Sequence, residues 1–184
     1  MHGIVFAALR DFLATHLDQE RADAVFGVEA PYLMTAAHPD ADFLRLLERA
    51  RLGADEPMPD FLRAFGVFTG ERTFPRLYPA FYDVAGDGRT FLLTIEDRIH
   101  ELIRATVPDA TPPQLHVEAA GNHELRVEYD SPRRLCSFLH GLVEGTAAHY
   151  DETVDVAQES CVWRGDPICV FAIGFASDTD AGSI

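Results

Sequence analysis

Residues 128–142 read EYDSPRRLCSFLHGL, and the fold turns on how this stretch divides. The residues leading into it, HELRVEYD (123–130), alternate apolar and polar as a half-buried strand does. Beyond it, apolar residues recur at helical spacing to about His149. The pattern predicts a strand reaching Ser131 and a helix from Pro132. Ser131 would be the N-cap, and Pro132 would take the first helical position, where a missing N–H costs nothing. Tyr129 and Ser131 then share one strand face, and Arg133 adds a planar fork that matches carboxylates. A helix N-terminus contributes free N–H groups as well, so the corner suits a carboxylate or a phosphate. A capped helix with a surface arginine is the plainer reading, because so short a motif recurs by chance.

Upstream, the first 105 or so residues read as helical. Val5, Leu9, Phe12 and Leu13 recur at helical spacing, as do Phe43, Leu44, Leu46 and Leu47, with Asp40 as a cap. Leu62, Phe65, Phe68 and Phe74 continue the pattern, interrupted by Gly66 and Gly70. A further helix is expected from Arg89 in RTFLLTIEDRIHELIRAT (89–106), with Phe91, Leu92, Ile95, Ile99, Leu102 and Ile103 as its apolar stripe and His100 beside it. Pro108 and Pro112–Pro113 end it. The period then changes: LHVEAA (115–120) and HELRVEYD read as strands joined near Gly121–Asn122. VDVAQESCVWRGDPICVFAIGF (154–175) reads as two more strands around a turn at Arg164–Pro167. These readings predict an α+β fold in one domain. A helical N-terminal subdomain (about 1–105) packs on an α/β C-terminal subdomain with an antiparallel sheet (about 106–176), and a tail at 177–184 frays.

Composition narrows the function. The 184 residues are 47% hydrophobic, a globular proportion, and carry 15 basic against 30 acidic side chains for a net charge of −15. Such a chain repels nucleic acid and anionic membranes, so a protein partner with a basic face is the better expectation. No apolar run approaches the roughly 20 residues of a membrane span. The N-terminus, MHGIVFAALRDFL, reads as an amphipathic helix, not a signal peptide. Three cysteines fit a reducing compartment, the cytoplasm, better than a disulfide framework. No paired catalytic carboxylates or nucleophile–base pair stands out, so no enzyme is expected.

His100 alone reads as a histidine flanking a core, which most single helical histidines are. A metal-ligand reading becomes attractive beside the anion-binding corner. Neutral imidazole suits iron, one histidine can hold a haem, and a haem carries two carboxylates at one edge.

With both features in place, the chain resembles the haem nitric oxide/oxygen-binding (H-NOX) family, related to the sensor region of soluble guanylate cyclase. The resemblance rests on MHGIVFAALRDFL, on FLLTIEDRIHELI around His100, on ATPPQL (110–115) and on EYDSPRRLCSFLHGLVEGTAAHY (128–150), in that order over nearly the whole chain. It implies haem b with His100 as proximal iron ligand, and Tyr129, Ser131 and Arg133 on the propionates. Pro113 would press the haem into a bend, and Val5, Phe74, Phe138 and Leu142 would form the distal pocket. Oxygen-binding members place a tyrosine where Phe138 stands. A phenylalanine there implies nitric oxide, and carbon monoxide weakly, with dioxygen disfavoured. The implied mechanism is a switch in which nitric oxide weakens the iron–His100 bond and lets the haem relax and the lobes move. At this length there is no room for a fused effector, so the expected partner of a bacterial stand-alone sensor is a histidine kinase or a cyclic-di-GMP enzyme.

Some members hold zinc with three cysteines and a histidine. Cys136, Cys161 and Cys169 resemble that set, with Cys161 and Cys169 facing each other across the hairpin. Gln158 stands in the histidine's place, and His140 is the substitute candidate; a disulfide, buried thiols or a redox sensor are the alternatives. Two other functions remain open: an oxygen or haem/thiol redox sensor, and a tetrapyrrole-handling or scaffold domain that keeps no haem.

Overall fold

The computed structural model describes residues 1–27 and 32–176. The tail expected to fray, 177–184, lies outside the described residues. The helical part comprises α1 (Gly3–His16), α2 (Gln19–Phe26), α3 (Asp40–Ala54) and α4 (Met58–Phe68). A π-helical turn (Thr69–Thr73) then leads into α5 (Phe74–Leu77), followed by α6 (Pro79–Ala85) and α7 (Gly88–Thr94). A second π-helical segment (Ile95–His100) joins α7 to α8 (Glu101–Thr106). The remainder is β1 (Gln114–Ala119), β2 (Glu124–Asp130), α9 (Cys136–His149), β3 (Val154–Ser160) and β4 (Cys169–Phe175). The four strands form one antiparallel sheet in the order β1-β2-β4-β3, so the α+β expectation holds. Among the described residues no helix is long and apolar enough to cross a membrane.

Two cores form. Phe6, Leu9, Phe12, Leu13, Phe43, Leu47, Phe61 and Phe65 fill the first, between α1, α3 and α4. The second joins the inward residues of β2 and β4, among them Leu125, Val127, Phe171 and Ile173, to Leu139 and Val143 of α9 and Phe91 and Leu92 of α7. The switch from helix to strand near residue 106 therefore does not coincide with the switch of core. Helix α7 already packs against the sheet.

At their glycines α4 and α9 meet backbone to backbone. A Cβ on Gly141 would lie 2.0 Å from Arg63 O, and one on Gly145 2.1 Å from Val67 O. From the other side, a Cβ on Gly66 would lie 2.3 Å from Phe138 O, and one on Gly70 2.6 Å from Leu142 O. Gly66 and Gly70, expected to interrupt the helix, are instead where the two backbones touch.

Three local expectations are corrected. The last helix begins at Cys136, not Pro132: Ser131–Arg134 close a turn through Arg134 N–H to Ser131 O (3.1 Å) and Arg134 has φ 53°. That left-handed residue cannot continue a helix, so Ser131 caps nothing in α9; its hydroxyl accepts from Arg133 N–H at 3.3 Å. Asp40 is not the cap of α3, which begins behind Pro39; its carboxylate accepts from the Met1 ammonium at 2.7 Å and pairs with Arg133. Leu102, placed in the apolar stripe, is 46% exposed. The π-helical segment just before it widens the turn and shifts the phase of every later residue, which a uniform 3.6-residue period does not anticipate.

Candidate functional site

A cavity lies between the two cores. It encloses about 1010 Å³ of space outside atoms, its solvent-open mouth included. The walls are almost wholly apolar side chains, from α1 (Val5), α5 (Phe74), α9 (Phe138, Leu142), the α7–α8 helix (Ile95, Ile99, Ile103) and the loop before β1 (Pro113). Phe138 also stacks on Phe65 at 4.6 Å between ring centroids, so this wall is braced by the first core.

One polar group enters from the helix that ends the second π-helical segment. His100 lines the cavity, and its Nδ1 lies 2.8 Å from Glu96 Oε2. A carboxylate has no proton to give, so Nδ1 carries the hydrogen and Nε2 keeps its lone pair. Burial lowers the His100 pKa and the Glu96 hydrogen bond pulls the other way without overcoming it. The ring is therefore neutral at physiological pH. Burial also pushes Glu96 up, but its bonds from His100 and Arg104 outweigh this and leave the carboxyl below its ordinary range.

A second polar group enters at the strand-to-helix corner. The Arg133 side chain is 4% exposed. Its Nη2 donates to Thr111 O (2.5 Å) and Thr111 Oγ1 (2.7 Å). Its Nε lies 2.9 Å from Asp40 Oδ1 in an ion pair that departs from ideal hydrogen-bond geometry. A buried guanidinium so placed in the cavity wall can also bond an incoming carboxylate. Tyr129 stands beside it, buried, its hydroxyl accepting from Leu135 N–H at 3.2 Å. Burial raises its pKa, so it is a neutral donor.

Of the nine residues expected at a cofactor, the cavity brings eight together: Val5, Phe74, His100, Pro113, Tyr129, Arg133, Phe138 and Leu142. Ser131 is not in the wall; it organises the turn that carries Arg133. Sequence reasoning missed Tyr78 and Tyr82, two hydroxyl-bearing residues in the wall. The Tyr82 hydroxyl donates to Gly70 O at 3.4 Å. The aromatic-rich FPRLYPAFYDV was a visible signal, but helical spacing did not say which rings turn inward.

The donor set tests for a haem. A flat apolar body needs apolar walls, an iron needs a neutral imidazole, and two carboxylates at one edge need buried cationic and hydroxyl donors. The residues present meet all three needs, with the buried Arg133 guanidinium and the Tyr129 hydroxyl as the cationic and hydroxyl donors. Zinc does not fare as well. The sulfurs of Cys136, Cys161 and Cys169 lie within 4.8 Å of one another, all buried. Structural zinc sites take four ligands, and His140, the candidate fourth, lies instead 3.5 Å from Glu144 and outside the thiol group. Cys136 Sγ lies 3.7 Å from Cys161 Sγ, and Cys169 Sγ belongs to the same group.

A family model described as Haem-NO-binding matches residues 2–158 of the chain. Among solved structures, the chain is similar to an H-NOX protein from S. oneidensis. A ferrous triple mutant of that protein gives TM-score 0.89 at 21% identity, over 97% of each chain. The Fe(II)NO state gives 0.87 at 20% identity, over 96% of this chain and all of the other. The Fe(II) unliganded H-NOX protein from K. algicida gives 0.81 at 22% identity, over 97% of this chain and 98% of that one. At these identities the likeness speaks for the fold. A comparison with curated proteins returned no match.

Proposed function

Since this chain belongs to the Haem-NO-binding family, we propose that it holds haem b in the cavity between its two cores and acts as a sensor for nitric oxide. The observation that carries the reading is the pairing, in one apolar cavity, of a neutral buried imidazole with a buried arginine side chain. Bound there, a ferrous haem supplies an iron that takes nitric oxide or carbon monoxide.

The chain's own residues do the rest. His100 would hold the iron through Nε2, with Glu96 on its other nitrogen. Arg133 and Tyr129 would hold the carboxylates, and Ser131 keeps the turn that aims Arg133. Pro113 presses from the loop before β1, while Val5, Phe74 and Leu142 exclude water. Phe138 has no hydrogen to donate to a polar bound dioxygen, which favours nitric oxide. Of the two hydroxyls in the wall, that of Tyr82 is engaged by Gly70 O, and that of Tyr78 is the one that could donate. The cavity joins residues from both cores, so a change at His100 shifts one against the other, by as much as the two shapes differ in affinity for the ligand. The signal then passes to a separate effector, a histidine kinase or a cyclic-di-GMP enzyme, through a basic face that complements the charge of −15. Three free thiols support a reducing cytoplasm as its location.

Absorbance spectra of the purified ferrous protein test the reading. A Soret band that shifts with nitric oxide and carbon monoxide, not with air, and that is lost in His100→Ala, is expected. A colourless protein after expression with haem supplied would overturn it.

A further inference from the structure

Glu96 makes more contacts than a helical His–Glu pair requires. Its Oε2 accepts from His100 Nδ1 (2.8 Å) and also from the backbone N–H of Leu115 (3.1 Å), the second residue of strand β1. Its Oε1 accepts from Arg104, whose Nη2 also reaches Pro113 O (3.4 Å). One carboxylate thus ties together the imidazole, the next turn of its helix and the Pro113–Leu115 segment that lines the cavity. The Glu96 and His100 side chains are only 24% and 12% exposed. A helix pair in water contributes a few tenths of a kcal/mol, and it would not need a backbone N–H from another element. Both residues also lie in the π-helical segment Ile95–His100, a geometry found mostly at functional sites.

We propose that Glu96 is the positioning residue of this sensor: it fixes which imidazole nitrogen faces the cavity, strengthens that nitrogen as a donor, and links movement of the imidazole to the start of β1. The inference rests on the haem reading of His100. Its chemistry is general: a carboxylate accepting the distal N–H of a metal-bound histidine holds the tautomer and raises the ring's basicity. The extra bond to Leu115 N–H is particular to this chain. An imidazole that moves away from the cavity centre pulls on a carboxylate anchored to the sheet, and through Arg104 on Pro113.

Resonance Raman spectra of the ferrous protein read the iron–imidazole stretch directly. In Glu96→Gln, which keeps the shape and removes the charge, the stretch is expected at lower frequency than in wild type, with haem lost about 10–100-fold faster. A stretch at the wild-type frequency would overturn the inference while leaving the haem reading intact. Absence of any iron–imidazole band in the wild type would overturn the haem reading and the inference together. A second measurement leaves Glu96 unaltered. In His100→Gly, free imidazole is expected to bind the ferrous haem about tenfold or more tighter than N-methylimidazole, which has no N–H for the carboxylate. The preference should largely vanish in the double variant with Glu96→Ala, which has no side-chain acceptor. Equal binding of the two in His100→Gly, or an undiminished preference in the double variant, would overturn the assignment.

Discussion

Gly141→Ala adds one methyl group at the seam between α4 and α9, and the structure says it has nowhere to go. The new Cβ would stand 2.0 Å from Arg63 O and 2.9 Å from Val67 N, where real contacts do not fall below 3.0 Å. Both obstacles are backbone atoms of a helix, so no rotamer change relieves them, and the axes must part by about 1 Å. Parting them loosens the rest of the seam, including the approaches of Gly66, Gly70 and Gly145. Two effects compete. Alanine gains about 1 kcal/mol over glycine in a helix interior. Overpacking costs about 1–3 kcal/mol, occasionally more, and rigid backbone obstacles place this case at or above the upper end. The net expectation is a loss of about 2 kcal/mol. For a domain of this size that lowers Tm by about 4–8 °C. Thermal unfolding by far-ultraviolet circular dichroism of the haem-free protein measures it. A Tm equal to or above wild type would mean that helix propensity wins and that the two backbones do not touch as described.

Glu144 clamps the same seam, accepting from Arg63 Nε at 2.7 Å. Burial raises its pKa, but the bonds from Arg63 outweigh that and set the folded value below that of an ordinary glutamate. Its contribution is thus complete above about 4.5 and is lost as pH falls through the lower folded value. Wild type should exceed Glu144→Gln in Tm at neutral pH and converge with it in acid; a gap independent of pH would contradict this. Arg133→Ala should release haem about tenfold or more faster in a transfer assay to a haem acceptor, the effect of losing a charged hydrogen-bond donor. Phe138→Tyr should give the haem-loaded ferrous protein a spectral change in air that the wild type lacks, since the ring already lines the cavity and gains a hydroxyl. Mild oxidation with diamide should form a disulfide within the Cys136, Cys161 and Cys169 group, whose sulfurs lie within 4.8 Å of one another, as read by peptide mapping; three thiols left fully reduced would contradict it.

Much of the candidate site was legible because its residues sit on short, regular pieces of chain. His100 stands out on an apolar helix, and alternation puts Tyr129 on the face of β2 that turns inward. Where the reading failed, the cause was a choice between local and distant partners. Ser131–Pro132 is an acceptable helix start, but Arg133 turns to Thr111 and Asp40, residues far away in sequence, and the intervening Arg134 pays with a left-handed backbone. Gly66 and Gly70 look like helix breakers until a second helix with Gly141 and Gly145 is laid against them.

From residue order alone came the period of each segment, the α+β class, and the identities of a histidine and an arginine suited to an iron and a carboxylate. These follow from local sterics and from which side of an element is apolar, so they need no knowledge of the neighbours. Only tertiary packing decided that α7 serves the sheet core, that Tyr78 and Tyr82 share the cavity wall, and that Glu96 reaches across to Leu115 N–H. Each of those depends on the distance between segments remote in sequence, a quantity that periodicity and composition do not contain.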